Sequence, residues 1–402
     1  MRNIGPLVHK GSGQLRILYS FPLRIGTVGI GMTGWHQVGG LIAQGVRVHL
    51  YAGSCEKDLN GLRTLRQTMV VCGVKLPYRL IGHRRVLMLH DKIVAISLRQ
   101  LDDKIDIIHC WPSGALETLR TARKLGIKTV LERPSAHTRL VYEITARECN
   151  KLGIKLNKSH YAAFSERKLA REEEEFSAAD KLLCPSKYVM KTFLERGFKE
   201  NQLLLGRRGY DPAFFGPPEW SGSENGTHPF KMAYIGECNP LKGLHFALQA
   251  WVASEASKKG RFYVCGNFLP EYRKVLTPLL AHPSVEYLGF TQEVAKVMRK
   301  CDALVLPSLS EGFPKVTCEA RACGCVLLVS DAASEACEHM KNGLIHAPGD
   351  VKTLREQIDL LASDNSLLSR LRNNSLAGVS ELTWDKASER LVEVYRQCLA
   401  GD

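Results

Sequence analysis

The sequence has no long apolar run. None of its segments approaches the ~18 consecutive apolar residues that a membrane-spanning helix needs. The stretch from Met1 to Gln14 also lacks the apolar core of a signal peptide. We therefore expect an unexported, cytoplasmic protein, either soluble or bound peripherally at the inner face of the membrane.

The 13 cysteines show neither disulfide nor metal-ligand spacing. They are scattered singly from Cys55 to Cys398, with no CxxC pair and an odd total. This pattern favours a reduced environment over disulfides or zinc. The densest group, Cys318, Cys323 and Cys325, straddles a predicted helix end and is interpreted as core packing. The sequence thus predicts no metal site and no cofactor.

The net charge of +14 arises in the first half of the chain. Residues 1–200 carry 33 Lys and Arg against 18 acids, whereas residues 201–402 carry 22 against 23. Apolar residues interleave with a basic run, as in a helix at an anionic membrane surface or beside an anionic acceptor; an ordinary solvated face fits equally well. The run comprises Arg79, Arg84, Arg85, Lys92 and Arg99. No nucleic-acid-binding motif accompanies the charge, so we expect no nucleic-acid partner.

Apolar, β-rich runs alternate with helical patterns along the whole chain, which is typical of parallel α/β layers. In the first half the predicted strands are Leu15–Ser20, Val46–Tyr51, Ile105–His109, Ile127–Leu131, Lys181–Cys184 and Leu203–Leu205. In the second half they are Phe230–Gly236, Arg261–Cys265, Val285–Leu288, Ala303–Leu306, Val326–Ser330 and Leu344–His346.

A segment rich in Pro, Gly, Ser and acids, residues 211–229, separates these two sets and reads as a linker. The sequence therefore predicts two Rossmann-like, doubly wound parallel-sheet domains facing a cleft, residues 1–210 and 230–383. A last amphipathic helix, residues 384–400, is predicted to pack back onto the first domain.

Two acids, Glu311 and Glu319, are separated by seven residues across a turn from an apolar strand into a short helix. Pro314 suits the first helical position and Gly324 suits the helix end. Carboxylates accept from hydroxyls, and free N–H groups at a helix N-terminus hold anionic oxygens. Chance can supply such a pair on a solvated face, but in open parallel sheets ligands bind at the carboxyl ends of strands, where Glu311 lies. The pair indicates a nucleotide-sugar site.

Three other features bear on chemistry. Lys242 follows the strand ending at Gly236 and opens a helix, so its ammonium and the helix N-terminus can act on one phosphate.

The glycine loop from Gly29 to Gly34, which includes Gly31, permits close backbone approach, although a plain tight turn is the alternative. No acid ends the second strand, which argues against a dinucleotide site. His137 follows another strand end at the expected cleft edge; a structural histidine is the alternative.

Together these motifs resemble glycosyltransferase family four, whose members are retaining enzymes of the GT-B fold. The resemblance rests on "EGFPKVTCE", "IGECNPLKG", "ADKLLCPSKYV", "GRRGYDPAFF", "NGLIHAPGD" and "TWDKASERLVEVY", and on the glycine loop. It implies that Glu319 binds the nucleotide ribose, Glu311 the transferred sugar and Lys242 the diphosphate. It further implies sugar and phosphate contacts from the backbone of Phe313, Lys315 and Val316, diphosphate contacts from Gly29 and Gly31, and a sugar contact from His137.

The resemblance also implies transfer of a hexosyl group from a nucleotide-diphosphate sugar to a glycan or lipid-linked acceptor, with retention and without a metal. Glu237 stands where the family usually has arginine, so Arg208 or its neighbour Arg207 is the expected compensating cation. The loop "SDAASEACEHM" departs from the family's glycine-rich turn. A nucleotide-sugar epimerase or hydrolase of the same fold, and a non-catalytic protein binding anionic surfaces, are the alternatives.

Overall fold

A computed structural model describes residues 14–158, 160–217 and 228–400. By their contacts these residues form two compact units. The first comprises the described parts of Met1–Glu132, Ala170–Leu183 and Ser388–Asp402, and the second those of Arg133–Leu169 and Cys184–Ala387. Residues 133–169 and 184–210 were expected in the first domain, but by their contacts they belong to the second unit. The expected linker, 211–229, lies largely outside the described residues, and the predicted domain boundaries stay predictions.

The first unit is built on a parallel sheet. Its strands are β1 (Arg16–Ile25), β2 (Arg47–Cys55), β3 (Thr64–Gln67), β6 (Ile107–Cys110), β7 (Lys128–Glu132) and β8 (Lys181–Cys184), and β4 (Val70–Val71) pairs with β5 (Val74–Lys75) in a separate ribbon. Within the unit the sheet has the order β3-β2-β1-β6-β7-β8, and its pairs are parallel. The helices that begin in the first unit are α1 (Ile30–Ala43), α2 (Tyr78–Ile81), α3 (His83–Leu98) and α4 (Leu116–Lys124).

The second unit contains a parallel sheet of order β12-β11-β10-β13-β14-β15. Its strands are β10 (Lys231–Ile235), β11 (Arg261–Cys265), β12 (Val285–Gly289), β13 (Ala303–Leu306), β14 (Val326–Ser330) and β15 (Gly343–His346), and the short β9 (Leu203–Leu205) precedes them. β13 and β14 are buried along their whole length, which is why they read as continuous apolar runs.

The remaining helices follow in chain order. They are α5 (Thr138–Lys151), α6 (Glu166–Ala178), α7 (Lys187–Leu194), α8 (Leu244–Val252), α9 (Pro270–Leu280), α10 (Val294–Arg299), α11 (Lys315–Ala322), α12 (Val351–Ser363), α13 (Asn365–Ala377) and α14 (Trp384–Ala400). From Ser388 onward α14 belongs to the first unit, where Tyr395 Oη lies 2.6 Å from His109 Nδ1 in a buried contact.

The predicted fold class, α/β with two Rossmann-like domains, is confirmed, and every predicted strand is present. The short strands β3, β4 and β5 were not predicted, because they are largely exposed and carry no buried apolar pattern. Pro314 lies one residue before the helix, since α11 begins at Lys315. Gly324 follows α11 with a φ of +85°, which a glycine adopts without the strain that a side chain would add.

The basic run of the first half lies on and around α3. The apolar face of this helix is already used by the fold, because Val86, Val94 and Leu98 are buried. Leu89 and Ile96 remain 40% and 55% exposed on the other face, in register with the exposed Lys92. The outer face of α3 is therefore basic with isolated apolar residues, while the amphipathic pattern itself reflects core packing.

Candidate functional site

The carboxyl ends of β10 and β13 bring the Lys242 turn against the loop that carries Glu311. These strands are parallel neighbours, so the residues that follow them meet at one edge of the sheet. The N–H of Leu309 donates to the carbonyl of Leu241 at 2.8 Å. Gly243 has a φ of +70°, and a Cβ there would lie 2.3 Å from the carbonyl oxygen of Pro307. Only glycine permits this close approach of the two loops.

Lys242 and Glu311 form an ion pair, with Nζ 2.6 Å from Oε2. Ser308 donates its hydroxyl to the other oxygen, Oε1, at 2.8 Å, so both carboxylate oxygens are held. Burial acts to lower the pKa of Lys242, but Glu311 together with Tyr161 and Glu237 outweighs this effect, and the pKa is raised. Lys242 is therefore a firmly charged ammonium beside a buried carboxylate.

The position of Lys242 is set by a short 3-10 turn, Pro240–Lys242. Asn239 caps it, because its Oδ1 accepts from the backbone N–H of Lys242 at 3.1 Å. Pro240 occupies the first position, where the missing N–H is not needed. Asn239 was not among the residues predicted from the sequence, although an Asn-Pro pair before a helix is a recognisable start signal.

Residues 134–136, which precede α5, also contact the loop after β13 and hold it in place. A Cβ on Gly312 would lie 1.9 Å from the carbonyl oxygen of Pro134, and the hydroxyl of Ser186 donates to the carbonyl of Gly312 at 2.6 Å. Ala136 and Leu309 belong to one buried apolar cluster together with Leu241. The residues flanking Glu311 and Lys242 thus share contacts with residues 134–136.

α11 carries Glu319 and begins beside Phe313, which is buried. The first N–H groups of the helix, those of Lys315 and Val316, have no acceptor within it. Among the described residues the carboxylate of Glu319 has no hydrogen-bond partner. Burial raises the pKa of Glu319, and the neighbouring Lys315 opposes the shift. A carboxylate on the same short helix as these N–H groups suits a ligand with both hydroxyls and an anionic group.

Arg208 lies near Lys315 and Glu319, whereas Arg207 pairs with an acid of another segment. Burial lowers the pKa of Lys315, Glu319 counteracts this, and the charge of Arg208 adds to the lowering, so the three are neighbours. Arg207 instead donates Nε to Glu335 at 2.6 Å. Glu335 belongs to the unusual loop after β14 and also accepts from the backbone N–H of Lys187. Of the two candidate cations, Arg208 is the one beside the Glu319 helix.

His137 is the N-cap of α5 and is almost fully buried. Its Nδ1 accepts from the N–H of Arg139 at 3.3 Å, and its own N–H donates to Thr192 Oγ1 at 3.1 Å. Its ring centroid lies 5.0 Å from that of Phe193. The histidine has a structural capping contact, and its predicted contact with a sugar stays a prediction.

Gly29 and Gly31 lie at the start of α1 in the first unit. Gly29 has a φ of +88°, and a Cβ on Gly31 would lie 2.5 Å from both the carbonyl of Arg24 and Thr27 Oγ1. Gly31 therefore serves a tight local turn, which is the alternative that the sequence left open. Their predicted approach to a diphosphate stays a prediction.

No group of three or more His, Cys, Asp or Glu side chains suited to a metal occurs among the described residues. Within the same residues, no helix combines the length and the apolar character needed to cross a membrane.

Comparison with known proteins identifies the class. Residues 29–214 match the family model described as Glycosyltransferase Family 4, and residues 229–364 match the one described as Glycosyl transferases group 1. Together the two matches span most of the chain. The protein belongs to this family of glycosyltransferases, which confirms the resemblance drawn from the motifs.

Curated relatives match parts of the chain. An N,N'-diacetylbacillosaminyl-diphospho-undecaprenol alpha-1,3-N-acetylgalactosaminyltransferase of Campylobacter jejuni is 33% identical over 114 residues, 28% of this chain and 30% of that enzyme. An uncharacterised glycosyltransferase of Methanocaldococcus jannaschii is 26% identical over 226 residues, 54% of this chain and 60% of that protein. A D-inositol 3-phosphate glycosyltransferase of Segniliparus rotundus is 27% identical over 215 residues, 48% and 46% of the two chains. The aligned part thus spans less than two thirds of each of these relatives.

Solved structures of similar fold cover nearly the whole chain. Sucrose-phosphate synthase from Thermosynechococcus elongatus has a TM-score of 0.70 at 17% identity, covering 97% of this chain and 100% of that one. Anabaena HepE in complex with UDP and glucose has a TM-score of 0.65 at 16% identity, covering 94% and 99%. At this identity the likeness shows the fold alone.

Proposed function

We propose that the protein is a retaining glycosyltransferase that moves a hexosyl group from a nucleotide-diphosphate sugar to a hydroxyl of a glycan or lipid-linked acceptor. The observation that carries this proposal is the Lys242–Glu311 pair at the carboxyl ends of β10 and β13, with Glu319 on the adjoining helix. One cation and two separately placed carboxylates match the diphosphate, the sugar and the ribose of such a donor.

The assignment of the donor parts follows from charge and position. Lys242 is the cation for the diphosphate, and Glu311, held by Ser308, accepts from the hydroxyls of the transferred sugar. Glu319, whose carboxylate has no described partner, takes the ribose diol. The N-terminal N–H groups of α11, those of Lys315 and Val316, complete the anion site together with Arg208. HepE, of similar fold, was solved with UDP-glucose, which supports a nucleotide sugar as the donor.

In this reaction the main task of the protein is to stabilise the negative charge that develops on the leaving diphosphate. As the bond from the anomeric carbon to the diphosphate breaks, negative charge develops on the leaving oxygen, and Lys242 lies where it can stabilise that charge. The acceptor hydroxyl attacks the same face of the sugar, and the leaving phosphate takes its proton, which retains the configuration. The scheme assigns no nucleophile of the protein and uses no cofactor or metal.

The proposed acceptor is a glycan or lipid-linked sugar of bacterial surface polysaccharide or glycolipid synthesis. The relative from C. jejuni acts, by its name, on a diphospho-undecaprenol-linked sugar. A solved structure of similar fold is a lipopolysaccharide outer core galactosyltransferase. The outer face of α3, where Lys92 lies in register with the exposed Leu89 and Ile96, suits an anionic membrane surface that carries such an acceptor.

Calorimetry with UDP, GDP and ADP, alone and as hexose conjugates, tests the donor assignment. We expect one nucleotide to bind, and Lys242→Ala and Arg208→Ala to weaken it. Lys258→Ala serves as a matched control, because Lys258 is exposed in the same unit and pairs with the exposed Glu255. The anomeric configuration of the product, read by NMR, tests retention. Conversion of the donor without any acceptor would instead indicate an epimerase or hydrolase, and absence of binding by all three nucleotides would refute the proposal.

A further inference from the structure

The loop between α5 and α6 places His160 and Tyr161 beside the Lys242 turn. The Nδ2 of Asn239, the residue that caps this turn, lies 3.3 Å from Tyr161 Oη and donates to it. The rings of His160 and Tyr161 lie side by side, with centroids 4.5 Å apart. All of these residues belong to the second unit. The loop therefore adds a second polar side to the site of Lys242 and Glu311.

His160 offers a hydrogen-bond donor to this side. Its Nδ1 accepts from the N–H of Ala162 at 3.2 Å, so in the neutral ring the hydrogen is on Nε2. Burial lowers the pKa of His160, which favours the neutral ring, although Glu237 counteracts the shift. Nε2 is itself buried and makes no hydrogen bond within the described structure. Glu237 Oε1 lies 3.9 Å from it.

Glu237 directly follows the strand-end Gly236, and its backbone is fixed. The hydroxyl of Tyr234 donates to the carbonyl oxygen of Glu237 at 2.9 Å. Its side chain is 49% exposed, and it is not the ion-pair partner of Lys242, since that lysine contacts Glu311. The carboxylate is thus available for a ligand.

The hydroxyl of Tyr161 interacts electrostatically with Lys242, Glu311 and Glu237. Burial raises the pKa of its hydroxyl, while the charge of Lys242 lowers it and those of Glu237 and Glu311 raise it. The phenol is therefore close to both the Lys242–Glu311 pair and Glu237. A ligand group that reaches Lys242 from this side would meet Tyr161 and Glu237 as well.

The chemistry of the three side chains excludes a phosphate as their ligand, because the carboxylate of Glu237 would repel it. A sugar hydroxyl suits them, since it donates to a carboxylate and accepts from an N–H or a phenol. We propose that Glu237, His160 and Tyr161 form a hydroxyl-binding subsite for the sugar part of the donor, with Glu237 as its specificity-determining residue. The inference rests on the proposed function and explains why an acid is placed beside a diphosphate site.

The test compares two ligands in one calorimetric series. The nucleotide diphosphate and the nucleotide sugar that bind most tightly among the UDP, GDP and ADP compounds are titrated into wild type, Glu237→Gln and Tyr161→Phe. We expect each variant to keep the affinity for the diphosphate within about twofold and to lose about tenfold or more for the nucleotide sugar. Glu255→Gln, on an exposed residue of the same unit, serves as the control and should match wild type for both ligands.

Three results would overturn the inference. Unchanged affinity for the nucleotide sugar in both variants would show that the subsite does not exist. Equal losses for the diphosphate and the sugar conjugate would assign Glu237 to the phosphates or to folding. A raised KM for the acceptor with unchanged donor affinity would place the subsite on the acceptor. If wild type binds none of the nucleotides, that result contradicts the proposed function itself, and it differs from the three results above because the wild-type protein already fails to bind.

Discussion

Glu148 and His245 join α5 to α8 inside the second unit, with Glu148 Oε1 3.1 Å from His245 Nε2. Tyr272 completes the contact, since its hydroxyl accepts from the backbone N–H of His245 and lies 2.6 Å from Nδ1. Nδ1 thus accepts from the phenol and Nε2 donates to the carboxylate. The three residues are buried, and the contact lowers the pKa of Glu148. α5 begins after His137 and α8 after Lys242, so this contact ties together the helices that follow two predicted site residues.

Removing that carboxylate should destabilise the second unit. Glu148→Ala leaves the Nε2–H of the buried His245 without its acceptor, while Tyr272 still contacts Nδ1. An unsatisfied buried donor costs about 2 kcal/mol of unfolding free energy. Glu143→Ala on the same helix removes an exposed carboxylate that pairs with Arg196, and should cost less than about 1 kcal/mol. Urea denaturation measures both. Equal losses for the two variants would show that the buried contact contributes nothing beyond a surface ion pair.

Gly312 should not tolerate a side chain. A Cβ at this position would lie 1.9 Å from the carbonyl oxygen of Pro134, so Gly312→Ala must displace either that segment or the loop that carries Glu311. We expect the affinity for the nucleotide sugar to fall at least tenfold. Gly216→Ala, where a Cβ meets nothing within 4 Å, is the matched control and should bind like wild type. Wild-type affinity in Gly312→Ala would mean that the contact does not position the loop.

Glu311→Gln should separate the two parts of the donor. Neutralising Glu311 releases Lys242 from its ion pair, so affinity for the nucleotide diphosphate alone should be kept or increased. Turnover of the nucleotide sugar should fall at least 100-fold, because the carboxylate that holds the sugar hydroxyls is lost. Calorimetry and a nucleotide-release assay measure the two quantities. A variant that loses both the diphosphate and the turnover in proportion would contradict the division of roles.

His90 should make the first unit sensitive to acid. It is buried between Ser20 and Thr68, and burial lowers its pKa from 6.5 to about 3. The unfolded chain takes up a proton near pH 6.5 whereas the folded one does so near pH 3, so the stabilisation is complete above pH 6.5 and is lost as the pH falls through this range. Between pH 7 and 4.5 this amounts to about 3 kcal/mol.

His90→Gln removes the titrating group, so its unfolding free energy should depend less on pH by that amount. Lys92→Gln, on an exposed residue of the same helix, leaves His90 in place and should retain the wild-type pH dependence. Urea denaturation at pH 7 and 4.5 makes the comparison. An undiminished pH dependence in His90→Gln would show that another group is responsible.

The sequence predicted the sheets better than the contacts within the site. Strands such as β13 and β14 are apolar at every position because both of their faces are buried, and this pattern is visible in the sequence alone. The acid pair and Lys242 were identified because they follow strand ends. The sequence could not show that Lys242 contacts Glu311 or that Gly312 abuts Pro134, since these contacts join segments far apart in the chain.

His160 and Tyr161 show the same limit more clearly. They lie in an irregular loop with no periodic pattern, and only the packing of that loop against Asn239 brings them to the site. His137 caps α5, a contact that its sequence position did not reveal, and its predicted contact with a sugar stays a prediction. Arg207 and Arg208 are distinguished by their surroundings in the structure, because Arg207 pairs with Glu335 while Arg208 acts on Lys315.

The proposed function depends above all on Lys242, which stabilises the leaving diphosphate of a nucleotide sugar. Acceptor-dependent release of the nucleotide diphosphate is measured in Lys242→Ala and Lys258→Ala, with the best-binding nucleotide sugar at saturation and a lipid-linked glycan as acceptor. We expect Lys242→Ala to lower kcat at least 100-fold and Lys258→Ala to match wild type. A kcat within twofold of wild type in a folded Lys242→Ala protein would contradict it.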